Sequence, residues 1–175
     1  MLRLPLILLF ALTAATAQSP AGAIPIDRAQ LLKDLQILSA DDMEGRLVGT
    51  PGGAKARAYV IERFKASGLE PLGASFEHPF EFTSGRGAGG ATRTGVNVLG
   101  RIAGTRTPDR AIVVTAHYDH LGVRNGVVFN GADDNASGTA ALFALARYFS
   151  ANRPANTIIF AALDAEESGL HGARR

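Results

Sequence analysis

Two short apolar runs constrain this chain more than anything else in it: Ala111 to Ala116 and Thr157 to Leu163. Strict alternation of apolar and polar residues marks a strand with one wet face. A continuous apolar run bounded by charge marks a strand buried on both faces. Between the two runs, Ser137 to Ser150 places Leu142, Leu145, Ala146 and Phe149 on one helical stripe. Strand, helix and strand in that order predict a parallel sheet covered by helices, because parallel neighbours need a crossover that an amphipathic helix supplies. The class is therefore α/β, and the sequence shows no internal repeat.

The first half of the chain adds elements to that unit. Asp27 stands where a helix N-cap belongs, followed by Leu31, Leu35 and Leu38 at helical spacing. Gly49-Thr50-Pro51-Gly52-Gly53 reads as a loop. A second helix is predicted from Ala54 to Ser67, with Ala58, Ile61 and Phe64 on one stripe and Gly68 as the stop. Phe76, His78, Phe80 and Phe82 alternate as in a strand with one apolar face, and Pro79 confines that strand to an edge or interrupts it. Gly85 to Gly90 reads as a glycine-rich loop, and Asn97 to Ile102 as another strand.

Composition narrows the function. A formal charge of +2, with basic residues scattered along the 175-residue chain, excludes a polybasic nucleic-acid surface. Cysteine is absent, so any metal must be held by nitrogen and oxygen ligands, and no disulfide braces the fold. Arg3, an apolar run from Leu6 to Ala15, and Ala15-Thr16-Ala17 before Gln18 describe a secretory signal peptide over residues 1–17. The run is shorter than the roughly 20 residues a membrane span needs. Residues 18–175 are thus expected to act after export, in a periplasm or outside the cell, with no membrane attachment once the signal is removed.

Three polar clusters sit where the buried strands end. They are Thr115-Ala116-His117-Tyr118-Asp119-His120-Leu121-Gly122, Asn130-Gly131-Ala132-Asp133-Asp134-Asn135-Ala136-Ser137-Gly138 and Ala162-Leu163-Asp164-Ala165-Glu166-Glu167-Ser168-Gly169. In open α/β sheets, ligands bind beyond the carboxyl ends of the strands. Carboxylates gathered there repel one another unless a cation neutralises them. Histidine and carboxylate without thiolate suit zinc, ahead of manganese or cobalt. The His-x-Asp spacing lets Asp119 orient the ring of His117, and adjacent Glu166 and Glu167 can divide metal binding and proton transfer between them. Each cluster also has a plain structural reading, Asp133-Asp134-Asn135 as a turn and N-cap above all.

Taken in order, these motifs resemble the co-catalytic zinc aminopeptidases of the aminopeptidase Y and bacterial leucyl aminopeptidase type, metallopeptidase family twenty-eight. Met43-Glu44-Gly45-Arg46, Gly49-Thr50-Pro51-Gly52-Gly53 and Phe64 to Pro71 resemble the N-terminal segment of that family. The resemblance implies a zinc exopeptidase-like, three-layer α/β/α fold with a mostly parallel central sheet. It implies peptide substrates and two zinc ions. His117 is implied as a ligand of one zinc, Asp134 as the carboxylate bridging both, Glu167 as a ligand of the other, Asp119 as the carboxylate orienting His117, and Glu166 as the general base. It further implies a cis peptide between Asp134 and Asn135. His120 and Asp133 receive no ligand role, and His171 and His78 are read as structural or surface residues.

The family's two-zinc site has five protein ligands, of which His117, Asp134 and Glu167 are present here. The remaining aspartate and histidine fall on later strands and loops in the family. The chain is therefore expected to be truncated at its C-terminus, holding an N-terminal part of the catalytic domain that binds zinc weakly and turns over little substrate. The competing readings are a glutaminyl cyclase-like relative, a carboxypeptidase or deacylase of related logic, and an inactive interaction domain. Asp134-Asn135 favours the peptidase over the cyclase, and retention of Glu166 favours an enzyme over an interaction domain.

Overall fold

The computed structural model describes residues 26–84 and 90–175. The expected signal peptide, residues 1–17, and residues 85–89 of the glycine-rich loop lie outside the described residues. Helix α1 (Arg28–Leu38) begins where its cap predicts, with the Asp27 carboxylate accepting the Gln30 N–H at 3.0 Å. Asp34 on its inner face is buried. It accepts from the Tyr59 hydroxyl at 2.7 Å and pairs with Arg63 at 3.0 Å, which ties α1 to the next helix.

Helix α2 (Pro51–Ala66) starts three residues earlier than the sequence predicts. Thr50 is its N-cap, accepting the Gly53 N–H, and Pro51 takes the first helical position, where a missing N–H costs nothing. Gly52 and Gly53 are inside the helix because another backbone crosses against them. A Cβ at Gly52 would lie 2.2 Å from the Met43 carbonyl oxygen, and one at Gly53 2.4 Å from that of Leu47. Their glycine content reports a close tertiary approach rather than a loop. The segment they touch is a short 3₁₀ turn, Asp41–Arg46.

Five strands form the main sheet: β1 (Glu70–Pro71), β2 (Glu77–Ser84), β3 (Ala91–Ile102), β4 (Thr107–His117) and β7 (Asn156–Leu163). A separate short hairpin joins β5 (Val123–Arg124) to β6 (Val127–Val128). In the main sheet β3 pairs with β7 and β7 with β4, while β1 and β2 both pair with β3. β2 has β3 as its neighbour, so Pro79 sits on an edge strand as predicted. Helix α3 (Ser137–Ala151) connects β4 to β7, and those two strands run parallel.

The α/β class is therefore the one observed, but the sheet is mixed rather than mostly parallel. Among the described residues β4–β7 is the single parallel pair, and β3 runs antiparallel to β1, β2 and β7. The physical reason is connection length: the crossover through α3 returns β7 parallel to β4, whereas only a few residues separate β2 from β3.

The expected burial of Ala111 to Ala116 on both faces is also corrected. α2 packs on β3, α3 packs on β4 and β7, and α1 stacks on α3. Val98, Ile102, Ala116, Ile158, Phe160 and Ala162 are buried in the core beneath these helices, with Phe64 and Phe143 edge-on at 6.0 Å. The opposite face carries Leu99, Val113, Thr115 and Ile159 along a groove shared with Leu72 and the Gly172–Arg175 turn. Val113 is 58% exposed and Ile112 51%, because β4 lies at the sheet edge. The described residues thus build two layers of the implied three.

Candidate metal centre

The three polar clusters do converge. His117 closes β4, and Thr139 in the first turn of α3 donates its hydroxyl to the His117 carbonyl at 2.9 Å. The Asp133–Asn135 segment forms a π-type turn leading into α3, with Asn135 accepting the Gly138 N–H at 3.0 Å. The capping role read from the sequence is therefore real, and it coexists with a place in the site. The Asp134-Asn135 peptide is cis, as the resemblance implies. Glu166 and Glu167 lie on the loop that follows β7, just past Asp164 and Ala165.

His117 Nε2 lies 3.1 Å from Asp134 Oδ1, and its Nδ1 lies 3.5 Å from Asp119 Oδ1. One ring thus faces two carboxylates through its two nitrogens. Burial pushes the ring's pKa down, but the Asp119 carboxylate and the nearby charge of Glu166 outweigh it, so His117 titrates above its ordinary 6.5. Asp119 itself is fully buried and accepts the backbone N–H groups of Glu166 and Glu167 at 3.1 and 3.3 Å. The Glu166 carboxylate takes no part in these bonds.

His120 is the residue that sequence reasoning leaves out. Its Nδ1 stands 2.5 Å from Glu167 Oε1, and donor atoms of His120, Asp134 and Glu167 all lie within 4.8 Å of one another. The sequence signal is its place three residues after His117, past the strand end, where a second ring can reach the same space from the other side. Asp133 is exposed, and its carbonyl accepts the Ser137 hydroxyl. His171 stacks on Phe82 with centroids 4.5 Å apart, and His78 is half-buried on β2, in keeping with the structural readings of both.

Two buried groups brace the cluster from below. Asp164 accepts from the Val96 N–H at 2.9 Å and from the Ala165 N–H at 2.8 Å, and burial pushes its pKa up to about 6. Arg46 is fully buried, with burial lowering its pKa to about 10 against the opposing pull of Asp119, Asp134 and Glu167.

The family model described as Peptidase family M28 matches residues 97–175, the part that holds all three clusters. Over that span the chain is similar to peptidase family M28. A probable zinc metalloprotease of Pyricularia oryzae is 45% identical over 83 residues, which cover 44% of this chain and 16% of that protein. Among solved structures, a Zn-dependent exopeptidase from Parabacteroides distasonis aligns with a TM-score of 0.65 at 18% identity, covering 85% of this chain and 50% of that one. A glutaminyl cyclase from Porphyromonas gingivalis aligns with a TM-score of 0.68 at 20% identity, covering 84% and 50%. At such identities these two show a shared fold. The chain spans about half the length of those solved proteins.

The similarity to family M28 and to a probable zinc metalloprotease points to zinc, and the donor set fits it. Imidazole and carboxylate oxygens gathered within metal-binding reach, with no thiolate, are the ligands zinc takes in hydrolytic sites. The partly exposed carboxylate of Glu167 and the exposed one of Asp134 leave the cluster open to solvent and ligand on one side.

Proposed function

We propose that this chain is part of an exported zinc aminopeptidase, acting on the N-termini of peptides, with Glu166 as its general base. The observation that carries the reading is the convergence of His120, Asp134 and Glu167 donor atoms beside His117, whose ring also feels the charge of Glu166. His117, His120, Asp134 and Glu167 are the residues that would hold the metal. Zinc bound there supplies polarisation of the scissile carbonyl and acidification of water.

The residues around it divide the remaining work. Asp119 holds the His117 ring through its backbone carbonyl, 3.2 Å from Nδ1, with a carboxylate oxygen at 3.5 Å, and through both carboxylate oxygens it holds the backbone of the Glu pair, so ligand and base are positioned together. Glu166 accepts a proton from the attacking water and returns it to the leaving amine. The two Asp119 bonds fix the backbone from which that carboxylate projects, which limits the reorganisation proton transfer requires.

The test is zinc stoichiometry by elemental analysis of the enzyme that contains this chain, followed by assays with an aminoacyl anilide, its N-acetylated counterpart and an N-terminal glutaminyl peptide. Hydrolysis confined to the free amine supports the reading, with Glu166→Gln retaining zinc and losing turnover at least about 100-fold. Cyclisation of the glutaminyl peptide without hydrolysis, or absence of zinc, overturns it.

A further inference from the structure

Arg46 belongs to the segment before the matched domain, and nothing in the aminopeptidase reading uses it. Among the described residues it is the largest side chain with no exposure. Its guanidinium makes four hydrogen bonds, all to backbone carbonyls, and they come from three separate parts of the chain. Nε donates to Tyr118 at 2.8 Å. Nη1 donates to Leu38 and, at 2.7 Å, to Asn130, and Nη2 donates to Gly131 at 3.0 Å.

Two of those parts carry the site. Tyr118 lies between His117 and Asp119. Gly131 is packed so tightly against the cluster that a Cβ there would meet the Asp134 carbonyl oxygen at 2.3 Å and the His120 ring at 2.5 Å. The backbone around Arg46 adds to the grip: its carbonyl accepts the His120 N–H at 3.2 Å, and that of Gly45 accepts the Gly122 N–H at 3.0 Å. Glu44, Gly45 and Arg46 all have positive φ, a run of left-handed residues that turns this segment under the site.

We infer that Arg46 is a positioning residue of the metal centre, its guanidinium locking the loop of His120 and the loop of Asp134 into one register. A planar fork with five donors can span three backbone segments at once, whereas a lysine ammonium is a compact point on a flexible stem. The fixed positive charge also counters the mutual repulsion of Asp119, Asp134 and Glu167 while no cation is bound. The inference rests on the metal-centre reading of the site, and it gives the N-terminal segment a role in ligand geometry.

The experiment compares the full chain with Arg46→Lys, Arg46→Met and, as a control, Asp34→Asn. Asp34 ties α1 to α2 through Tyr59 and Arg63, accepts from Gln30 within α1, and touches neither site loop through these bonds. Zinc affinity is read by competition with a chromophoric chelator, and ligand geometry by the visible spectrum of the cobalt(II) form. Both Arg46 variants are expected to bind zinc about 10- to 100-fold more weakly, with an altered cobalt spectrum, as losses of supporting contacts do. Asp34→Asn is expected to lose stability and keep its affinity. Added guanidinium is expected to recover part of the affinity of Arg46→Met.

In the unaltered chain, the Arg46 Nε–H and two loop amides, Phe129 donating to the Gly122 carbonyl at 2.9 Å and Ala136 donating to that of Gly131 at 3.1 Å, are expected to exchange with water as slowly as the amides of α3. Affinity within twofold of the parent in a folded Arg46 variant, or fast exchange of those protons, overturns the inference. If both variants fail to fold, the exchange measurement decides. If the unaltered chain takes up no zinc, the metal reading fails, and exchange at the two loops still decides whether Arg46 holds them.

Discussion

The buried carboxylate of Asp119 receives the Glu166 N–H at 3.1 Å, so the residue that faces the His117 ring also anchors the loop carrying the Glu pair. Its second oxygen takes the Glu167 N–H at 3.3 Å. One side chain thus couples the end of β4 to the end of β7. His117, Asp119 and the backbone of Glu166 and Glu167 are held as a unit, although the glutamates lie 47 to 50 residues beyond the other two in the chain.

Replacing Asp119 by asparagine keeps the shape but removes the charge and one acceptor. His117 is then expected to titrate lower than in the parent, since the largest opposing influence to its burial is gone. The raised pKa of the parent contributes stability that is present below 6.5 and lost as pH rises through the folded value, and the variant lacks that contribution. An N–H left facing an NH₂ group adds a loss of about 1–3 kcal/mol. Imidazole chemical shifts against pH and urea unfolding of the metal-free protein check both. A His117 titration unchanged from the parent contradicts the coupling.

Asp164 sets an opposite pH trend. Its proton leaves near 3.8 in the unfolded chain and at about 6 in the native one, where burial opposes the charge. The native state therefore binds the proton more tightly. The contribution to stability is full below 3.8 and falls as pH rises through about 6. At about 1.4 kcal/mol per unit the fall amounts to about 2–3 kcal/mol. Urea unfolding at pH 4 to 7 is expected to show Asp164→Asn gaining on the parent by that amount. A constant difference across the range contradicts it.

Gly52→Ala tests whether the glycines of α2 serve the helix or the contact. Helix propensity alone favours alanine by about 1 kcal/mol. The new Cβ would stand 2.2 Å from the Met43 carbonyl oxygen, and backbone cannot yield as a flexible side chain does. The contact is expected to win, with a net loss of about 1–3 kcal/mol, as overpacking gives. A rise in unfolding temperature is the result that would contradict the close approach.

Val113→Thr distinguishes the two readings of β4. At 58% exposure the change is expected to cost less than about 0.5 kcal/mol. The same change at Val98, fully buried, is expected to cost about 1–3 kcal/mol through an unbonded hydroxyl. Paired urea titrations measure the contrast, and equal losses would restore the buried-strand reading.

Much of the molecule is legible locally. α1 and α3 announce themselves through Asp27 and through the Leu142–Ala146 stripe, and β7 through its unbroken apolar run, because caps and periodicity depend on near neighbours. His117, Asp134, Glu166 and Glu167 stand out as chemistry-bearing residues at strand ends. β4 misleads because apolar composition reports what a strand can bury, whereas burial depends on which neighbours the sheet supplies. Gly52 and Gly53 mislead because a glycine kept for a close approach looks the same in sequence as a glycine kept for a turn.

Local pattern suffices for the α/β class, for the resemblance to a peptidase family and for the nitrogen and oxygen donors a candidate metal site would use. Tertiary structure alone decided that His120 joins Asp134 and Glu167, that Asp119 grips both glutamate amides, and that Arg46 lies beneath them. The reason is range. A motif records which donors the chain carries, but distances of 2.5 to 4.8 Å between residues tens of positions apart are set only when strands, turns and a buried guanidinium pack together.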